Sequence, residues 1–179
     1  MPESAPASWR RWLALSAAVA ILDLATKAWV SAVFTAGDVH RVTPFLNLVL
    51  WHNAGAAFSF LAGAGGWQRW FFVGVTIVVS AALLWMLRRN SANPLLCAAL
   101  AMVLGGAAGN LYDRITLGHV VDFIQLHAAG YHWPAFNVAD SAITLGVALM
   151  LWDGFRESRA SPATRTQPGG RQKTKEPHG

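Results

Sequence analysis

Charge is scarce in this sequence: 14 lysines and arginines and 9 aspartates and glutamates in 179 residues, or 13%. A soluble domain carries roughly 25%, so a chain with this little charge and 54% hydrophobic residues reads as a membrane protein. Cysteine is nearly absent. The one present, Cys97, lies in an apolar run, which excludes an intramolecular disulfide and argues against a thiol nucleophile. A continuous basic face is missing too. The net charge of +5 arises from Lys and Arg placed between apolar runs and in the tail, a pattern of membrane topology that implies no nucleic-acid partner.

What the chain does have is four long apolar runs. Residues 12–34, 70–87, 95–115 and 135–155 each approach the roughly 20 helical residues that cross a hydrocarbon core of about 30 Å. The fourth is the most constrained. Its uncharged part, Ser141 to Trp152, is too short by itself, and extension back to Ala135 places Asp140 one to two turns inside the membrane edge. These spans predict an all-α membrane protein, a four-helix bundle forming one polytopic domain over residues 1–155. Residues 1–8 read as a polar leader, and residues 156–179 as a basic, disordered cytoplasmic tail. Arg10 and Arg11 before the first run resemble the start of a signal peptide. The run is too long for one and holds Asp23 and Lys27, so it reads as a retained span.

Orientation follows from the cations. Arg10, Arg11, Arg88, Arg89, Arg156 and the tail fall on one side of a four-span chain, and Arg41, Arg69 and Arg114 on the other. The positive-inside rule then predicts both termini in the cytoplasm. Between spans one and two, FLNLVLW predicts a short strand at 45–51. It leads into Asn53 and Gly55, where small residues leave room for a close approach to the backbone, or simply for a turn. Asn93-Pro94 marks the start of span three.

The stretch from Gly105 to Ser141 holds Asp113, Asp122 and Asp140. Asp122, in VVDFI, and Asp140, in NVADS, have only apolar or small neighbours, and a carboxylate there is costly without a partner or a task. On the predicted topology all three lie near the outer face. Two carboxyls in a low-dielectric site share a proton, one acting as base on water while the other donates to a carbonyl. The loop 116–134 can fold Asp122 and Asp140 onto one site. Each feature also has a plainer reading. Asn137 and Asp140 fit a capping box at the start of span four, whose dipole favours ionised Asp140 and leaves Asp122 as the proton carrier. Asp113, beside Arg114, reads as a salt-bridged structural carboxylate. Asp23 and Lys27, four residues apart, read as an ion pair facing the bundle. Gly105, Gly106 and Gly109 suit close helix packing. His119, His127 and His132 lack zinc spacing, so no metal or other cofactor is expected. An alternative function is a small proton- or ion-conducting protein that uses Asp23, Asp113 and Asp140 as relay sites.

Five motifs in order, DLATK at 23–27, NAGAAFSF at 53–60, GGAAGNLYDR at 105–114, VVDF at 120–123 and FNVADS at 136–141, closely resemble those of the bacterial lipoprotein signal peptidases (signal peptidase II). The resemblance runs from about Trp12 to Phe155. It implies an intramembrane aspartyl endopeptidase that cleaves prolipoproteins before a diacylglyceryl-modified cysteine and is inhibited by globomycin. By motif, Asp122 and Asp140 correspond to the catalytic pair. Asn53, Gly55, Asn110, Arg114 and Asn137 would line or support the substrate groove, and Asp23 and Lys27 would stabilise it from span one. The family fold implies a small extracytoplasmic β-cradle and a surface loop or helix over the site, with FLNLVLW and residues 116–134 as candidates. It also implies the bacterial cytoplasmic membrane as location, with membrane lipids around the chain. A monomer is expected.

Overall fold

The computed structural model describes residues 9–55 and 65–160. The leader at 1–8, most of NAGAAFSF and residues 161–179 lie outside them. After a short 3-10 turn at Trp9–Arg11 come four long helices: α1 (Trp12–Val33), α2 (Trp67–Arg89), α3 (Pro94–Thr116) and α4 (Val138–Ala160). Each is long and apolar enough to cross a membrane. Helix α2 begins three residues before the expected 70 and ends two after 87, α1 and α3 agree to within one residue, and both ends of α4 shift. Helix α4 begins at Val138, because Asn137 caps it. It also continues to Ala160, so residues 156–160 are helical where a disordered tail was expected; Arg-Glu-Ser-Arg-Ala contains no helix breaker, and the first proline is Pro162.

Helix α3 is the hub. Half of its apolar window (50%) is buried, against 22%, 17% and 22% for α1, α2 and α4. Its small residues explain why. A Cβ at Gly105 would come within 2.5 Å of the Ser16 carbonyl on α1, and one at Gly106 within 2.5 Å of the Ala139 carbonyl on α4. Without side chains at these positions the backbones approach closely, which in lipid replaces a hydrophobic drive between helices. Ser16 Oγ adds a hydrogen bond to the Ala101 carbonyl at 2.9 Å. At the start of α3, Asn93 accepts from the Leu96 N–H at 3.1 Å, with Pro94 in the first helical position, satisfying a donor that the first turn leaves open. Cys97 is fully buried beside Leu87 and Leu100, with its thiol 3.2 Å from the Asn90 carbonyl. It has a packing role.

The bundle carries a small sheet, as the resemblance implied, so the chain is not all-α. The chain forms a four-stranded antiparallel sheet, in the order β1 (Val39–Thr43), β2 (Leu46–Asn53), β3 (Val120–Ala128), β4 (Tyr131–His132). The strand expected at 45–51 is β2. Residues 116–134 are mostly strand rather than a loop, hinge or covering helix. The reason is local: VVDFIQLH is rich in strand formers, and Ala129-Gly130, both with positive φ, make the tight hairpin turn into β4. Val30, Leu50, Val121 and Phe123 form a buried cluster that fastens the sheet to the end of α1.

Candidate active site

The sheet places Asp122. Strand β2 pairs with β3 so that Trp51 faces Asp122, with a register shift between Leu48 and Trp51. Asn53 then reaches across, and its amide donates to Asp122 Oδ2 at 3.1 Å. Asp140 comes from the first turn of α4. The two are joined through Asn137. Its side-chain amide donates to Asp122 Oδ1 at 2.8 Å, and its backbone N–H donates to Asp140 Oδ2 at 3.3 Å. In return the Asp140 N–H donates to Asn137 Oδ1 at 2.9 Å. That reciprocal pair is the capping box read from the sequence, with Asp in place of Glu. Asn110 completes the ring, donating to Asp140 Oδ1 at 2.8 Å.

Below this ring lies a second polar layer. Lys27 Nζ sits 2.7 Å from Asp23 and 2.9 Å from Asp113, all three nearly fully buried. Lys27 also donates to Asn110 Oδ1 at 2.9 Å. Asp23 Oδ1 accepts from the Ala139 N–H at 2.8 Å, so α1 caps the N-terminus of α4. Gly109 makes this geometry available, since a Cβ there would collide with the Asp23 carboxylate. The sequence reading of Asp23 and Lys27 as a pair holds, and the reading of Asp113 needs amending. Asp113 pairs with Lys27, not with Arg114, because adjacent helical residues project about 100° apart. Asp113 also accepts from the Val121 N–H at 3.2 Å, which ties α3 to β3. Asp23 and Asp113 are both engaged by one lysine, so these two do not stand as separate stations of the relay alternative.

Arg114 turns the other way. It donates to the Gly55 carbonyl at 3.0 Å and lies 5.3 Å from the Phe72 ring centroid. Gly55 N–H donates to Asn53 Oδ1 at 2.9 Å. Every predicted site residue thus belongs to one connected network. The histidines do not. The His119 ring lies tilted against that of His52, with centroids 4.1 Å apart, while His127 stacks on His132 at 5.3 Å. They separate because residue 119 precedes β3 and the other two sit at its far end. Burial first, then the neighbouring His52, holds the His119 pKa below its ordinary value.

Asp122 is 3% exposed. Burial and then the charge of Asp140 push its pKa from 3.8 up to about 7, against hydrogen bonds from Asn53 and Asn137 and the more distant Lys27. A carboxyl that keeps its proton near neutrality, with a second carboxyl group beside it, can serve as the acid of an acid–base pair. Both line a cavity of about 680 Å³ that continues along the apolar side of α4, past Ile143, Leu145 and Ala148.

Comparison with known proteins gives the family and the fold. Residues 15–156 match the family described as Signal peptidase (SPase) II. The lipoprotein signal peptidase of Cupriavidus necator is 52% identical over 148 residues, 83% of this chain and 85% of that protein. That of Ralstonia nicotianae is 51% identical, covering 83% and 86%. A solved bacterial membrane enzyme, determined by the in meso method at 2.3 Å, superposes with a TM-score of 0.78 at 31% identity, covering 88% of this chain and 95% of its own. A second, at 1.9 Å, gives 0.73 at 33% identity, covering 83% and 94%. With the family matched from α1 to α4 and relatives about half identical over most of their length, the chain belongs to the signal peptidase II family of lipoprotein signal peptidases.

Proposed function

We propose that Asp122 and Asp140 are the catalytic pair of a prolipoprotein endopeptidase that cuts before a diacylglyceryl-modified cysteine. The observation that carries this is the Asn137 bridge, which holds the two carboxyl groups on one cavity wall. Asp122 enters protonated and Asp140 ionised. Asp140 takes a proton from water as its oxygen attacks the scissile carbonyl carbon, and Asp122 gives its proton to the carbonyl oxygen. In the collapse of the resulting diol, one hydroxyl proton returns to Asp122 and Asp140 protonates the cysteine nitrogen. The C–N bond then breaks, and both carboxyls regain their starting states. Asn53, Asn110 and Asn137 position the pair, Arg114 holds the segment at Gly55, and Asp23 and Lys27 support the floor.

The same reading places the sheet as a cradle on the extracytoplasmic side of the bacterial cytoplasmic membrane, with residues 1–155 as one domain, both termini in the cytoplasm and the enzyme acting as a monomer. The apolar side of α4 then offers the signal segment and acyl chains a route from the bilayer to the carboxylates. The deciding experiment is incubation of the purified protein with a diacylated prolipoprotein, with and without globomycin, alongside Asp122→Asn and Asp140→Asn. Processing is expected only in the uninhibited wild type, with losses of at least about 10²–10⁴-fold in each variant. Cleavage retained in either variant rejects the pair.

A further inference from the structure

Asp122 lies on the wall of two cavities. The second, of about 470 Å³, shares Asn53, Asp122, Pro134 and Ala135 with the first and continues over Ala36, Gly37, Trp51 and His52. Asp140 lines only the first. The two spaces therefore share the residue assigned to protonate the carbonyl, and a chain bound across Asp122 would have one arm in each.

Their walls differ in chemistry. The first runs along a membrane-spanning helix. The second lies beyond the end of α1 at Val33 and on the last residues of β2, outside all four spans. Its walls are fixed: the Gly37 N–H donates to the Leu50 carbonyl at 2.9 Å, with Gly37 at φ +94°, a conformation that favours glycine. His52 is held by the His119 ring. Trp51 is 40% exposed, and neither Ala36 nor Gly37 carries a side chain large enough to fill the groove.

A lipoprotein precursor brings three parts to the scissile bond. The signal segment and the acyl chains are apolar and belong on the bilayer side. The polypeptide after the cysteine is polar and must leave toward water. We infer that the second cavity is the subsite for the residues that follow the lipidated cysteine, with Trp51 and His52 as the side chains that meet them. This rests on the assignment of Asp122 and Asp140 as the cutting pair.

The test uses the purified full chain and two synthetic substrates with the same signal segment and the same diacylglyceryl cysteine. One ends at the cysteine amide and the other continues for four residues. Wild type is expected to prefer the longer substrate by about tenfold in kcat/KM, the equivalent of one well-made contact. Ala36→Trp, at an exposed position that accepts bulk, and Trp51→Ala are expected to bring that ratio toward one through KM. A wild-type ratio near one, or a ratio that both variants leave unchanged, overturns the assignment. So does an Ala36→Trp effect that follows acyl-chain length instead of peptide length, which gives the cavity to lipid. Failure of wild type to cut either substrate counts against the catalytic pair itself, and the subsite falls with it.

Discussion

Lys27 decides which way the Asn110 amide faces. The ammonium can only donate, so at 2.9 Å it holds the Asn110 oxygen toward itself and turns the NH₂ toward Asp140. Two other asparagines are set by the same logic. Gly55 N–H holds the oxygen of Asn53, and Asp140 N–H holds that of Asn137, so both amide groups face Asp122. A buried carboxyl group needs hydrogen-bond partners in either protonation state. The three asparagines supply them without adding a charge.

Removal of the cation from this arrangement has two separable effects. Lys27→Met leaves Asp23 and Asp113 buried without a counterion, at a cost of about 3–5 kcal/mol, read as a fall in the thermal unfolding midpoint in detergent. Adding Asp113→Asn is expected to restore part of the stability but little of the activity, because Asn110 is still free to flip. Full recovery of activity in the double variant would show that Lys27 serves only as a counterion.

The rate is expected to fall as pH rises through about 7, where Asp122 loses its proton. Stability carries the same group with a defined sign. Its folded pKa lies above the ordinary 3.8, so between those values the folded state holds a proton that the unfolded state releases, and stability declines as pH rises across the window. Asp122→Asn should be inactive and should show a flatter pH dependence of unfolding over that range. An unchanged dependence places the titration elsewhere.

Asn137→Ala tests the bridge. The hydrogen bond from Asn137 holds the Asp122 pKa down, so its loss raises that pKa further and moves the alkaline limb of any residual activity to higher pH. Loss of the helix cap costs about 1 kcal/mol in addition. Activity that falls with no movement of the limb points to a purely structural role.

Gly109→Ala is expected to destabilise by about 1–3 kcal/mol through overpacking, because its Cβ meets the buried Asp23 carboxylate. Gly74→Ala in α2, where a Cβ meets nothing within 4 Å, is the control and should stabilise by up to about 1 kcal/mol. Equal effects at the two sites, measured by thermal unfolding, would remove the close approach of α1 to α3 as the explanation.

Much of this architecture was legible in the chain because membranes make composition decisive. Four apolar runs separated by arginines specify four spans, and Asn93-Pro94 marks a helix start whatever the helix packs on. Asn137 and Asp140 announced a cap three residues apart. Asp122 and Asp140 stood out because a charge among apolar residues is too costly to be incidental. The strand at 120–128 was harder to read, since VVDFIQLHA interrupts its apolar run with a charge and pairs with residues about 70 positions earlier.

The sequence by itself determined the spans, their order and which residues carry the expensive charges, because those follow from transfer free energy and local backbone chemistry. The tertiary structure decided the partners: Asp113 with Lys27 instead of Arg114, Asp23 at the N-terminus of α4, and three asparagine amides turned toward two aspartates. A partner depends on which helix face and which strand register meet in space, and on which donors are left once the backbone has been satisfied. Those are properties of the folded chain, set by long-range packing that no local motif encodes.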